Sequence, residues 1–577
     1  MVQYLREIFK LLGADKRKLP MLFFLFSGAS VFDLIGLSVI APYVALIAGE
    51  SAVESSFEKL LVFFGFALDR GSLLIVISLL LLGVFIVKSI ASMWINWVII
   101  DFSLKQQLKL RSFLMKAYQM LPYVDHVYRN SSDNIYHIQQ LTNQYSMQVL
   151  IPLLRTLSDG IVVILIVGFL AWQNTSALIL LMGLLSVMVL GYERIFRIKI
   201  RAYGEEANKS SIKMVKSIQE SAAGLKDIKI LGKEKYFYDM FYSGASDNAF
   251  YIKKSQLFSS MPRYILELFM VIFVVSTVLV AILTDKNLEA LASTLAVFGV
   301  ASLRLLPAAN LFSNSLVQLQ YGRDAVSRLR ADVKVLDNKE KWFFQSESDD
   351  TNVSSFQKFS LDRVSFTHKK SVKKILDQIS FEILSGEAVG IVGLSGSGKT
   401  TLVDLMLGLF KPQDGNIYYN GKALDTALSE WRSQVAYLPQ KTFLTDDTIR
   451  NNIAFGVCED EVDDELLRSA IIKSQLAELI SQLPDGIDTL LGENGERLSG
   501  GQRQRVALAR AFYHKRRVLI MDESTSALDT QTEREVIREI KNLKGKMTII
   551  VIAHRLKTLE FCDRIYELKN GKIMNYG

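Results

Sequence analysis

Glycine, lysine and threonine stand at the intervals phosphate chemistry needs in GEAVGIVGLSGSGKTTLVDLML, where Gly393, Gly396, Gly398, Lys399 and Thr400 follow G-x-x-x-x-G-K-T. Glycines let backbone N–H groups wrap phosphates, Lys399 reaches the terminal ones, Thr400 offers a hydroxyl to magnesium, and the next helix adds its dipole. Ser395 and Thr401 belong to the same cradle. Further on, VLIMDES ends an apolar run in two acids. Asp522 is suited to hold magnesium and Glu523 to polarise the attacking water, because phosphoryl transfer asks a protein for positioning and charge stabilisation. ATP and Mg2+ are the cofactors this pattern implies. A glycine-rich turn and a buried strand with solvated acids are the plainer accounts, and both weaken when one domain carries the two stretches in this order.

Between them lies ERLSGGQRQRVALARAF. Ser499, Gly500 and Gly501 precede a helix expected near Gln502, so a hydroxyl and backbone donors would meet a phosphate at a helix N-terminus. The stretch resembles the signature of the ATP-binding cassette family, LSGGQ, here Leu498 to Gln502. The resemblance runs through the whole polar half: Gln440 in YLPQ matches the Q-loop, Ser526 to Asp529 the D-loop, His554 in IIVIAHR the switch histidine, and Gly492 to Arg497 the X-loop of exporters. It implies catalytic roles for Glu523, His554 and Gln440, and magnesium contacts from Thr400, Gln440 and Asp522. It further implies that Ser499, Gly500, Gly501 and Gln502 serve the P-loop of a second subunit. Each chain has one of each element, so a homodimer is the simplest completion and a heterodimer with a related half-transporter the alternative. Where the family usually stacks a tyrosine on adenine, this chain has His368 in VSFTHKK; an imidazole stacks more weakly, and Phe366 is a possible substitute.

These residues need a strand, AVGIV, feeding the glycine loop, and a second, VLIMD, delivering the acids, which is the plan of an α/β P-loop domain over 356–577. What precedes it is different. Half of the 577 residues are hydrophobic, and apolar blocks run from Leu19 to Ala48, Ser72 to Ile100, Val149 to Trp172, Ala177 to Tyr192, Leu266 to Leu283 and Leu291 to Leu306. They predict an α-helical membrane domain over 1–330 with six transmembrane helices, and a linker over 331–355. Lysine and arginine crowd the loops after the second and fourth blocks, whereas the alternate loops hold only Lys59, Arg70 and Lys286. That asymmetry places both termini in the cytoplasm. LKQQLKLRSFLMKAYQ and the basic stretch after Arg194 keep helical spacing, so the crossings should continue as cytoplasmic extensions, turning in short coupling helices near Pro122 to Tyr128 and Gly224 to Lys235.

The formal charge of +8 is spread among apolar blocks without an arginine-rich or aromatic-basic array, which argues against nucleic acid and for positive-inside charge. Cys458 and Cys562, the only cysteines, give no disulfide framework or thiolate metal site. VQYLREIFKLL places Val2, Leu5, Phe9 and Leu12 on one face, as in a helix lying on the inner membrane surface.

Membrane half first and cassette second resembles the exporter architecture, which implies ATP-driven transport by alternating access. Counting along the crossings puts Lys88, Arg155 and Arg304 about 25 Å deep and Arg263 about 30 Å deep, where in a dimer they would form a basic ring suited to a diphosphate or phosphate headgroup. Each also has a plainer reading, such as pairing of Arg263 with Glu267 one turn on. Residues 55–68 are apolar yet too short to span, with Phe57, Leu60, Leu61, Phe64 and Leu68 on one helical face. They read as an external interfacial helix on which Leu61 and Phe64 would hold a lipid tail, or as a lid with no ligand. This combination looks similar to bacterial flippases of the PglK type, which move polyprenyl-diphosphate-linked oligosaccharides across the inner (plasma) membrane for protein glycosylation. A drug, lipid A or glycolipid exporter is the alternative substrate reading. An ATP-gated channel or receptor is the alternative of another class; intact Glu523, Ser499 and His554 speak for hydrolysis.

Overall fold

The computed structural model describes residues 2–28, 70–127, 129–173, 175–283, 307–340, 355–368, 373–522, 537–538, 540–553 and 556–576. The chain divides into two compact units, Met1–Leu121 with Tyr128–Phe343, and Pro122–Val127 with Phe344–Gly577. The external helix 55–68, with Leu61 and Phe64, and the last apolar block, with Arg304, lie outside the described residues, as does most of the first block.

Among the described residues the first unit is built from helices and no strands. It contains α1 (Val2–Leu11), α2 (Arg70–Gln119), α3 (Tyr123–Val127), α4 (Ile151–Gln173), α5 (Thr175–Ala223), α6 (Leu225–Leu231), α7 (Glu234–Leu283) and α8 (Arg323–Glu340), with α3 counted in the second unit. α2, α5 and α7 are 50, 49 and 50 residues long, about 75 Å each at 1.5 Å per residue. That exceeds the roughly 30 Å hydrocarbon core, so these helices have the length for the extensions expected from sequence. Among the described residues, Ser78–Gln119 and Ser132–Gly168 are long and apolar enough to cross a membrane. The fourth and fifth apolar blocks fall on α5 and α7.

Two expectations change. α1 packs into protein: Tyr4, Ile8 and Leu12 are buried in a core with Ile99, Leu114, Tyr145, Val149 and Leu329, and Tyr4 Oη donates to the Leu319 carbonyl at 2.8 Å. The buried stripe at i, i+4 and i+8 is therefore Tyr4–Ile8–Leu12, and Phe9 from the expected face is 40% exposed. A helical apolar pattern tells that a face is covered, and by which neighbour only the fold decides. The expected linker also starts as helix, since α8 continues to Glu340.

Polar residues hold this unit at its centre. Asp332 Oδ2 accepts from Tyr118 Oη and lies against His137 Nδ1, both at 2.6 Å, and its Oδ1 accepts from Arg129 at 2.6 Å. Burial alone would raise the Asp332 pKa, but the hydrogen bonds from His137 and Tyr118 and the charge of Arg129 hold it below the ordinary value. A second network joins Tyr136 and Gln144 to Asn208, and Asn208 to Asp324, at 2.8, 2.9 and 2.8 Å. Close helix approach is secured by Gly204, where a Cβ would stand 2.4 Å from the Tyr321 carbonyl oxygen.

In the second unit β1 (Lys358–Phe366), β2 (Leu376–Leu384), β4 (Asp414–Tyr419) and β5 (Lys422–Ala423) form an antiparallel sheet in the order β2-β1-β4-β5. β3 (Ala388–Val392), β6 (Val435–Leu438), β7 (Val518–Asp522), β8 (Thr548–Ala553), β9 (Arg564–Lys569) and β10 (Lys572–Asn575) form the other, in the order β10-β9-β3-β8-β7-β6. All neighbours there are parallel except β9 and β10. The near-continuous apolar runs AVGIV, VLIMD and TIIVIA are what a sheet covered on both faces requires. Cys562 is half-buried beside it, and burial pushes its thiol up to about 12, as expected of a structural thiol.

α3 and α6 occupy the two stretches expected to turn as coupling helices. The ring of Tyr123 lies 5.9 Å from that of Phe410, and Val124 packs against the core under β1 and β2. α6 is closed by Gly232, whose φ of 62° suits the left-handed cap; Leu225, Ile230 and Leu231 are exposed.

Candidate nucleotide site

Strand register assembles the site. Val392, the last residue of β3, pairs with Ala553 at the end of β8, and Ile552 pairs with Asp522 at the end of β7. Leu438, two residues before Gln440, pairs with Met521. The glycine loop, Asp522 and Gln440 thus leave one edge of the sheet, the carboxyl edge where open α/β sheets bind ligands. Glu523 and His554 lie outside the described residues; each directly follows one of these strand ends in sequence.

Between β3 and α9 (Lys399–Met406) the loop turns on Gly396 and Gly398, at φ 78° and 103°. Both values favour glycine. Gly393 is needed for close approach, since a Cβ there would meet the Leu568 carbonyl oxygen at 2.5 Å. The Lys399 ammonium curls over the loop and donates to the carbonyls of Gly393 and Leu394 at 2.9 and 3.0 Å. Ser397 Oγ is buried without a hydrogen-bond partner, and a Cβ on Gly396 would meet nothing within 4 Å. An orphaned hydroxyl beside open space at a helix N-terminus fits the phosphates of a nucleotide. Ser395 and Thr400 are exposed and Thr401 half-buried on the same loop and first turn.

Asp522 is 5% exposed, and Tyr437 Oη reaches its Oδ2 at 3.5 Å. A single buried carboxylate with Thr400 and Gln440 is a sparse protein set, which suits Mg2+, an ion that keeps waters and takes most other ligands from phosphates. When bound, that ion would neutralise developing phosphate charge. Two neighbours of Asp522 carry a signal too weak to single out in sequence. Tyr437 is one, inside YLPQ; Asp404 is the other, a turn beyond Thr400, where an aspartate passes for surface. Burial and the nearby Asp522 push Asp404 up to about 6.

The signature sits on other supports. α10 (Gly500–Tyr513) begins two residues earlier than expected, behind Ser499 in a reciprocal cap: Ser499 Oγ accepts from Gln502 N–H at 3.3 Å, and Gln502 Oε1 accepts from Ser499 N–H at 2.8 Å. The Ser499 hydroxyl proton stays available to an acceptor. One face of α10, with Ala507, Leu508 and Ala511, joins the core under β7 and β8, and the other, with Val506, Ala509 and Tyr513, joins a separate helical core. Lys399 and Ser499 therefore stand on different sub-cores of one chain. His368 meets Phe366 and Phe410 edge-on, with centroids 5.2 and 5.6 Å apart, while Phe366 and Phe410 stack at 5.1 Å.

Of the four basic residues expected to line a dimer's cavity, Arg155 and Lys88 have described side chains. Arg155 donates to Asn96 Oδ1 at 2.8 Å and lines a cavity of about 280 Å³ with Ser92, Ser158 and Asp159. Lys88, 7% exposed, is outside that lining and holds its ammonium 4.8 Å from the Phe85 ring, since burial favours a cation over an aromatic face. The Arg263 side chain and Arg304 lie outside what is described.

Residues 376–526 match the family model described as ABC transporter. An ATP-dependent lipid A-core flippase of Ralstonia nicotianae is 30% identical over 509 residues, 86% of this chain and 83% of that one. Another, of Desulfotalea psychrophila, is 32% identical over 440 residues, covering 76% and 74%. With one of Cupriavidus pinatubonensis the identity is 44% over 218 residues, 37% of either chain. In fold the chain is similar to a bacterial Atm1-family ABC exporter with ATP bound, at TM-score 0.76 and 21% identity over 97% of this chain and 96% of that one. The chain therefore belongs to the ABC transporter family, as an exporter-type half-transporter whose cassette couples ATP hydrolysis to transport.

Proposed function

We propose that two copies of this chain form an ATP-driven flippase of the bacterial inner membrane, with cytoplasmic termini and cassettes, that translocates a lipid carrying a phosphorylated glycan. In this reading Lys399, Thr400 and Asp522 of one subunit and Ser499 of the other enclose ATP, Gln440 and His554 position the groups around it, and Glu523 activates water. Their placement on different sub-cores supports a site completed between subunits. His368 would take the adenine side with Phe366.

The observation that carries the substrate class is the Arg155 cavity, whose lining combines a guanidinium with Asn96, Ser92, Ser158 and the carboxylate of Asp159, and with apolar Phe26, Ile95 and Val162. A fork of guanidinium donors suits a phosphate oxygen, and the apolar lining residues suit a chain. A polyprenyl-diphosphate-linked oligosaccharide, as in protein glycosylation, is one such lipid. Lipid A-core is the second, favoured by the similarity to flippases of that name. In proteoliposomes holding fluorescent versions of both lipids, Arg155→Ala should reduce flipping at least tenfold relative to ATP hydrolysis. Flipping unchanged in that variant would remove the site, and drug transport with neither lipid moved would overturn the lipid reading.

A further inference from the structure

A larger cavity, of about 470 Å³, lies in the helical unit on stretches that flank the expected crossings. Six glutamines line it: Gln139, Gln140, Gln144, Gln148, Gln256 and Gln318. Asn248, Ser211 and Ser255 add further polar groups, Tyr136 and Tyr321 add rings, and no lining residue is charged. Each carboxamide brings two donors and an acceptor with two lone pairs. Several of these remain unmatched. Gln144 is 5% exposed; its Nε2 donates to Asn208 at 2.9 Å, but its Oε1 is buried without a partner. Gln148 Oε1 is likewise buried and unpaired. Such an orphan has given up its hydrogen bonds to water without replacement, so two in one cavity ask for a reason.

The backbone supplies a second sign. His137–Leu141 and Tyr145–Leu150 are π-helical, on either side of Thr142–Gln144. π-turns are rare and recur at functional sites. Being wider than the 3.6-residue turn, they bring Gln140, Gln144 and Gln148 nearer to one face. The fold thus accepts poorer helix geometry where it concentrates amides.

An ion entering this cavity would lose hydration and gain no counter-charge; a hydrocarbon would strand the amides. A neutral molecule dense in hydroxyls satisfies donors and acceptors together. We propose that this cavity is a binding site for an uncharged saccharide. The proposal rests on the flippase reading only for the ligand's source: it is either the glycan head of the transported lipid or a free cytoplasmic saccharide.

The test uses full-length protein in lipid nanodiscs, with chitotriose as the free probe and a polyprenyl-diphosphate-linked trisaccharide as the lipid-linked one. Wild type should bind at least one of them, and Gln148→Leu should weaken that binding at least tenfold while its Tm stays at or above wild type, because it deletes an unpaired acceptor. Gln256→Leu, on another helix, provides a second variant and should weaken binding in the same way. Chitotriose binding that depends on Gln148 assigns a soluble ligand; dependence with the lipid-linked probe alone assigns the head of the lipid. Equal affinities in wild type and both variants, or no binding of either probe, would overturn the proposal and leave a water-filled cavity. Flipping is scored separately: its absence alongside Gln148-dependent binding sinks the flippase reading and spares this one, and intact flipping with unchanged affinities does the reverse.

Discussion

The cassette and the helical unit solve the same problem, holding polar groups out of water, in opposite ways. In the cassette the polar chemistry sits at the ends of fully buried strands, where Gly393 to Thr400 is one contiguous stretch and Asp522 caps VLIMD. In the helical unit it is assembled from residues far apart in the chain: Asp332 gathers Tyr118, Arg129 and His137. The first arrangement depends on local backbone geometry, the second on helix packing. Damage should therefore be local in the cassette and global in the helices.

Asp332→Ala is the strongest way to break that contrast. It strips a shared acceptor from buried Tyr118 and His137 and half-buried Arg129 and should cost about 3 kcal/mol, read as a lower Tm with the helical unit failing first. A loss below about 1 kcal/mol would mean the network is ornamental. Gly204→Ala comes next. With its Cβ 2.4 Å from the Tyr321 carbonyl oxygen, it should cost about 2 kcal/mol by overpacking, whereas an unchanged Tm would show that the two helices can part freely.

The smallest effect belongs to the cassette. Asp404 is an acid raised in the folded protein from the ordinary carboxylate range to about 6, so the folded state holds its proton longer and stability falls as pH rises from about 4 to about 6. Asp404→Asn should flatten that slope in nucleotide-free protein and, after allowance for solvent screening, add about 1 kcal/mol at pH 7. A slope that survives the substitution would assign the titration elsewhere.

Legibility in the sequence follows the same division. The nucleotide loop could be read residue by residue because glycine at positive φ, a lysine and a hydroxyl must be consecutive to wrap one phosphate. That AVGIV feeds the loop and VLIMD delivers Asp522 followed from apolar runs ending in polar residues, whereas the strand order, with β8 between β3 and β7, and the arrival of Gln440 at the same edge depend on pairing between distant strands. α1 could not be placed, since Tyr4–Ile8–Leu12 and Val2–Leu5–Phe9 are both apolar stripes and only the neighbours choose. The depth of Lys88 could be counted because rise along a helix is fixed, but the side chain's direction, toward Phe85, could not. The glutamines of the large cavity look like ordinary surface polarity, spread over three stretches 179 residues apart at the extremes, from Gln139 to Gln318. The backward contact of Asp404 with Asp522 was hidden for the same reason.

The central claim is that hydrolysis in the cassette drives lipid movement through the helices. Its most direct test compares flipping of a fluorescent lipid-linked oligosaccharide and of fluorescent lipid A-core by wild type and by Glu523→Gln in proteoliposomes supplied with ATP and Mg2+. The account predicts flipping of at least one lipid by wild type only, with hydrolysis in the variant reduced at least a hundredfold and ATP binding retained. Flipping at the wild-type rate by Glu523→Gln would contradict it.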